Sequence, residues 1–234
     1  MKATLFALLA LGPLLSAETL QEKLDARSEQ AAKDGDPAVR EEFARGIEAV
    51  AASGIVDRAI QVGDKAPDFT LKDATGKSVT LSKLLEDGPV ILTWYRGGWC
   101  PYCNIALAAM QEKLPEFEKA GARLVALTPE LPDKSLDTKQ KNELEFTVLT
   151  DLNHEVARDY GLVFKLTPKV RELYRGFFDL TEFNGDEAGD EELPLAATYV
   201  IDGGGVVRWA FLDADYRKRA EPDEVLAAVR KLGS

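Results

Sequence analysis

Cysteine and histidine are nearly missing from this chain: its 234 residues hold two of the first and one of the second. That scarcity excludes much. A zinc or iron site built from protein ligands alone needs about four donors, and Cys100, Cys103 and His154 supply only three, so no metal is expected. His154 lies in Asp151-Leu152-Asn153-His154-Glu155, a polar helix start, where a solvated imidazole is expected rather than a catalytic base. Covalent haem attachment requires C-x-x-C-H, and Asn104 stands where that histidine would be. Neither glycine-rich nucleotide loop occurs, so no nucleotide cofactor is implied. Positive charge is also short. With 29 Lys and Arg against 40 Asp and Glu, the formal charge is −11. That argues against a nucleic-acid partner and fits a solvated acidic exterior.

Long apolar runs are confined to the start. Lys2 precedes Ala3-Thr4-Leu5-Phe6-Ala7-Leu8-Leu9-Ala10-Leu11, followed by Gly12-Pro13 and Leu15-Ser16-Ala17. A charged first segment, a short apolar core and a small residue before Glu18 predict a secretory signal peptide over 1–17, cleaved near Ala17 and too short to span a bilayer. The expectation is an exported protein, periplasmic or secreted, with no membrane segment after processing. The rest divides into a helical extension, 18–60, and one redox domain, 61–234.

What is present is concentrated in Trp99-Cys100-Pro101-Tyr102-Cys103. The only two cysteines stand at C-x-x-C spacing after the apolar run Val90-Ile91-Leu92-Thr93-Trp94-Tyr95. A strand feeding a helix start puts both thiols on the first turn, where unpaired N–H groups and the helix dipole favour a thiolate. A purely structural disulfide is disfavoured, because the stabilisation from a cross-link grows with the length of the loop it closes and this loop is nearly the smallest available. The spacing therefore points to dithiol/disulfide redox chemistry.

In 18–60, Leu20, Leu24, Ala31, Phe43, Ile47, Val50 and Ala51 recur at helical spacing. Asp36-Pro37 starts a second helix, with Asp36 as cap and Pro37 in its first position. Phe69–Leu71 and Val79–Leu81 read as a small hairpin, Ser82 as the cap of a short helix ending at Leu85, and Pro101–Lys119 as the helix carrying the cysteines. Arg123–Thr128 is a second buried strand, 136–145 a helix, Phe146–Leu149 a short strand and Glu155–Tyr160 a helix stopped by Gly161. Residues 162–193 read as an irregular insertion, either a lid over the cysteines or added packing. Thr198–Asp202 and Val206–Phe211 form a hairpin around three glycines, and Pro222–Leu232 closes the chain as a helix. This order predicts an α/β sandwich with a central mixed sheet.

Element order with a redox pair after the first long strand resembles the thioredoxin fold. Val62-Gly63-Asp64-Lys65-Ala66-Pro67-Asp68-Phe69 is similar to the opening of the alkyl hydroperoxide reductase/thiol-specific antioxidant (AhpC/TSA, peroxiredoxin) family, and Tyr95–Asn104 resembles a branch of it carrying C-x-x-C. Gly161–Phe164, Thr198–Asp202 and Asp213–Arg217 extend the likeness over about 40–232. The resemblance implies a thioredoxin-like α/β fold, peroxide reduction and a thioredoxin-like electron donor. Several positions depart from the pattern. The family's Pro falls on Arg96, its Thr on Cys100, its peroxidatic Cys on Cys103 and its Glu on Ala106. Its peroxide-binding Arg, and the cis-proline of thioredoxin-like relatives, fall on Ala196. A cis bond before a non-proline costs about 3–4 kcal/mol, so a trans bond before Ala196 and a loosened substrate groove are predicted; Pro194 sits two residues early.

Two assignments of the nucleophile stay open. Cys100 attacks in the thioredoxin reading, with Cys103 resolving. Cys103 meets peroxide in the peroxiredoxin reading, and Cys100 condenses with the resulting sulfenic acid. Arg96 is a candidate for lowering a thiolate pKa, Trp99 for shielding the pair or filling the core, and Tyr102 for tuning the potential between the cysteines. Three functions follow: a thiol-dependent peroxidase, ranked first; an exported oxidoreductase acting on protein disulfides; and a non-enzymatic module docking a partner through 18–60.

Overall fold

A computed structural model of the chain describes residues 18–233. The expected signal peptide, 1–17, lies outside the described residues. The extension folds as α1 (Leu20–Asp34), α2 (Pro37–Ala52) and the short α3 (Ile55–Arg58). Thr19 starts α1 with a reciprocal capping box to Glu22, and Asp36 caps α2 through Ala38 N with Pro37 in the first turn, as the sequence predicts.

The domain continues with β1 (Thr70–Asp73), β2 (Ser78–Thr80), α4 (Leu81–Leu85), β3 (Val90–Trp94), α5 (Pro101–Lys119), β4 (Arg123–Thr128), α6 (Pro132–Lys141), β5 (Thr147–Thr150) and α7 (Glu155–Asp159). It ends with β6 (Val163–Lys165), α8 (Pro168–Phe177), α9 (Thr181–Asn184), β7 (Glu192–Pro194), β8 (Thr198–Ile201), β9 (Val207–Phe211) and α10 (Pro222–Arg230). One mixed sheet runs β2-β1-β5-β4-β3-β8-β9, with β3, β4 and β5 parallel and the outer pairs antiparallel.

Every residue of β3 is buried, because helices cover both faces of the sheet. Alternate side chains serve different cores. Ile91 packs with α5, α1 and α10, while Val90, Leu92 and Trp94 pack with the layer of α3, α4 and α7. The extension contributes to both: Leu20 and Leu24 join the first core, Val50, Ile55 and Ala59 the second. The start of α1 is held from the far end of the chain, where Glu221 accepts from Leu20 N and Gln21 N at 3.2 and 2.7 Å.

Four sequence expectations need correction. Thr80, not Ser82, precedes α4 as its cap; Ser82 N donates instead to Asp68 Oδ1 at 2.8 Å. Helix α6 starts at Pro132, which needs no donor in a first turn, and ends before the turn at Glu143, which has φ +51°. Residues 162–193 are not irregular. Strands β6 and β7 pair antiparallel, and between them Thr167 caps α8 by accepting from Val170 N. Buried Asp190 pairs with Arg171 and Arg175, tying the following loop back to α8. Finally, His154 is buried rather than solvated, 1% exposed. Asn153 and His154 both take positive φ, and Asp151 accepts from Val156 N and Ala157 N to start α7. Burial, reinforced by Arg158, depresses the imidazole pKa to about 4, so it is neutral near pH 7.

Because Leu24 is fully enclosed between α1 and α5, Leu24→Ala is expected to cost about 2–5 kcal/mol in chemical denaturation. A change below about 0.5 kcal/mol would mean that α1 is only tethered.

Candidate active site: a cysteine pair at a helix start

Strand β3 delivers the chain to the site, and the turn Tyr95–Trp99 reverses it into α5. Two glycines make this turn possible. Gly97 takes φ +149°, and a Cβ there would lie 2.1 Å from Trp99 Nε1; a Cβ on Gly98 would lie 1.9 Å from Thr138 Oγ1. Cys100 is the residue before the first helical turn, with Pro101 in first position and Cys103 on that turn. Both cysteines are free thiols and buried, 1% and 0% exposed.

Their environments push them apart. Burial opposes charge on Cys103, but the Cys100 thiol donates to it, Arg219 and Arg96 face it, and the Arg96 backbone N–H adds to these. The outcome is a thiol pKa well below the usual cysteine range. Arg219 Nη2 donates to Cys103 Sγ at 3.2 Å. Cys100 goes the other way: burial, the bond it donates and the adjacent Cys103 charge hold it well above the usual range. The direction agrees with the geometry, since Cys103 is the sulfur that a guanidinium contacts directly.

Arg96 is a buried guanidinium, 2% exposed. It donates to the Tyr174 hydroxyl and lies over the rings of Tyr216, Trp99 and Tyr174 at 4.2, 5.0 and 5.8 Å. Among the described residues its Nε has no hydrogen-bond partner. Trp99 is partly buried and packs on Tyr174 and Phe178, so the ordered 162–193 segment covers it. Tyr102 is also buried. Its ring meets Tyr216 edge-on at 5.6 Å and its hydroxyl accepts from Ser28 Oγ of α1 at 3.3 Å. Ala196 is buried, and no cis peptide bond occurs among the described residues, as the missing proline predicts.

A nearly closed cavity adjoins Cys103, lined by Tyr95, Thr93, Ala106, Thr198 and Arg219, with room for about one water-sized molecule.

Sequence reasoning missed Arg219, Glu130, Tyr174 and Tyr216 as site residues. Tyr216 and Arg219 lie in and just beyond the run Asp213–Arg217 already singled out, which was the available signal for them. Glu130 and Tyr174 carried none, since only tertiary packing brings them to the cysteine turn.

The chain matches the AhpC/TSA family over residues 62–210. It belongs to that family. Peroxiredoxin Q of Suaeda salsa is 29% identical over 173 residues, 74% of this chain and 69% of that one. The wheat (Triticum aestivum) chloroplastic peroxiredoxin Q is 28% identical over 182 residues, covering 78% and 70%. Among solved structures, peroxidoxin BcpB of Mycobacterium tuberculosis superposes with a TM-score of 0.59 at 24% identity, covering 75% of this chain and 99% of that one. Xanthomonas campestris peroxiredoxin Q gives 0.56 at 16% identity, covering 75% and 98%. The fold is therefore the thioredoxin-like α/β fold of AhpC/TSA proteins. Helices α1–α3 up to residue 61, and Arg219, lie outside the matched segment.

Removing the Arg219 charge by Arg219→Met should raise the Cys103 titration midpoint, read by thiolate absorbance, by about one to three pH units. Arg219→Lys should restore most of it. An unchanged midpoint would leave Arg96 and the helix start as the sources of the shift.

Proposed function

We propose that the protein is a thiol-dependent peroxide reductase in which Cys103 is the peroxidatic and Cys100 the resolving cysteine. The single observation that carries this is the Arg219–Cys103 contact in a buried site, beside a Cys100 thiol that remains protonated. Family membership and the peroxiredoxin Q relatives support the same activity.

The chemistry runs in two steps. Cys103 thiolate attacks one peroxide oxygen; an S–O bond forms, the O–O bond breaks, and the departing alkoxide or hydroxide takes a proton. Cys103 is oxidised by two electrons to a sulfenic acid and the peroxide is reduced. Cys100 sulfur then attacks Cys103 Sγ; the S–S bond forms, the S–O bond breaks, and the hydroxyl leaves with the Cys100 proton as water. Arg219 and Arg96 stabilise first the thiolate and then the charge developing on the leaving oxygen. A thioredoxin-like dithiol returns the pair to its reduced state.

The departures from the family pattern are offset in this reading. The thiol of Cys100 donates to Cys103 where relatives of the resembled family have a threonine hydroxyl, and Arg219 supplies the charge absent at Ala196. Trp99 and Tyr102 act by packing: Trp99 closes the pair from solvent, and Tyr102 joins the cysteine helix to α1. The protein-disulfide reading is less favoured, because the N-terminal cysteine of the pair is the high-pKa one and both sulfurs are covered. The docking-module reading loses its expected exposed stripe, since Leu20 and Leu24 are core residues. Among the described residues no helix is long and apolar enough to cross a membrane. Export to the periplasm or beyond rests on the 1–17 pattern alone.

Stopped-flow oxidation of the reduced protein by hydrogen peroxide, followed by tryptophan fluorescence, tests the reading. The expected rate constant is far above that of a free thiolate at equal pH. Cys103→Ser should abolish the fast phase, while Cys100→Ser should keep it and halt at the sulfenic acid. A fast phase that survives Cys103→Ser but not Cys100→Ser would reverse the assignment.

A further inference from the structure

One buried acid has no part in the scheme above. Glu130, in the loop after β4, is 1% exposed. Its Oε1 accepts from Gly98 N of the cysteine turn at 2.9 Å, and its Oε2 accepts from Thr138 Oγ1 of α6 at 3.4 Å. No Lys or Arg pairs with it among the described residues. The titratable groups facing it are the Tyr95 phenol, from the end of β3, and Cys103, from α5. Tyr95 lies beside Glu130 on one side and lines the Cys103 cavity on the other, and among the described residues its buried hydroxyl has no partner of normal hydrogen-bond geometry. A carboxyl, a phenol and a nearly closed cavity with room for about one water-sized molecule thus stand in sequence.

We propose that Glu130 is the proton donor of the peroxide step, passing its proton by way of the Tyr95 hydroxyl to the oxygen that leaves Cys103 and taking over the negative charge that Cys103 gives up. The inference rests on the peroxidase reading. The balance is closed. Cys103 thiolate, hydroperoxide and protonated Glu130 become Cys103 sulfenic acid, alcohol or water, and Glu130 carboxylate, with one negative charge on each side. The buried charge is never lost, only moved from the Cys103 sulfur to the Glu130 carboxyl. Electrostatics agree: burial, with the Cys103 charge adding to it, raises the Glu130 pKa to about 7. Consuming the thiolate removes that repulsion and lets the carboxyl ionise.

The readout is the number of protons taken up per disulfide reduced, obtained from the pH dependence of the dithiol–disulfide equilibrium of the whole mature protein. A proton that merely holds the turn in place would not appear in it. The reduced protein carries one proton on Cys100 and, below about pH 7, a second on Glu130, whereas the disulfide form holds Glu130 ionised in the window just below that value. Wild type is therefore expected to take up two protons there and one above it, and Glu130→Gln one on both sides. In single turnover with hydrogen peroxide, Glu130→Gln should slow Cys103 oxidation on the order of a hundredfold and lose the decline above neutral pH. Glu130→Asp should recover part of the rate. A count of one proton throughout in wild type overturns the proposal, and that measurement stands even if Glu130→Gln does not fold. A wild-type peroxide rate no better than a free thiol overturns this proposal and the peroxidase reading together. A fast rate with the wrong proton count overturns this proposal alone.

Discussion

The structure is organised around one difficult requirement, stabilising negative charge on the buried Cys103 sulfur. Placing an ion in such a site costs several kcal/mol unless partners compensate. Here the compensation is threefold: the Arg219 guanidinium in direct contact, the Arg96 guanidinium nearby, and the Cys100 S–H with the first turn of α5 behind it. Arg96 matters because of what it lacks. A buried arginine bound to a carboxylate would be neutralised by it. This one is held by three aromatic faces and a phenol hydroxyl, which fix the side chain and leave its field for the sulfur.

Much of the surrounding architecture follows from keeping those groups in place. Helix α8 supplies Tyr174, and the loop after it supplies Phe178, which closes over Trp99. The segment after β9 supplies Tyr216 and Arg219. The turn itself tolerates no side chain at positions 97 and 98, so it is fixed by contact on both sides. The two arginines that face Cys103 come from separate parts of the chain, one of them beyond the matched segment 62–210. A missing motif residue is a statement about one position in the chain; the chemical role can be filled from another.

What the sequence made legible, and what it did not, divides along a physical line. Local signals read well. The apolar run of β3, buried on both faces, the proline at the start of α5, and Asp36-Pro37 before α2 each act within a turn or two of chain. The insertion reads as irregular although Thr167-Pro168 is a sound helix start, because its order comes from the pairing of β6 with β7 and from Asp190 held by Arg171 and Arg175, which are contacts across the segment. His154 was misread because polarity of neighbours says nothing about a backbone that turns the ring inward through two positive φ angles. Glu130 carried no signal at all, and Arg219 only its place just beyond the run Asp213–Arg217. Their significance lies in contacts across 116 and 32 residues of sequence, to Cys103 and Gly98, and no periodicity encodes these.

The hold of Glu221 on the start of α1 ties the two ends of the described chain together two residues from Arg219. Helix α1 precedes the family-matched segment, yet the anchor it offers fixes the stretch that delivers the guanidinium to sulfur. Taking α1 away would remove Leu20 and Leu24 from the core around the cysteine helix, the Ser28 bond to Tyr102 and the Glu221 hold together. The front of the chain is thus a wall of the redox core, and stability of the fold and placement of the guanidinium are lost or kept together.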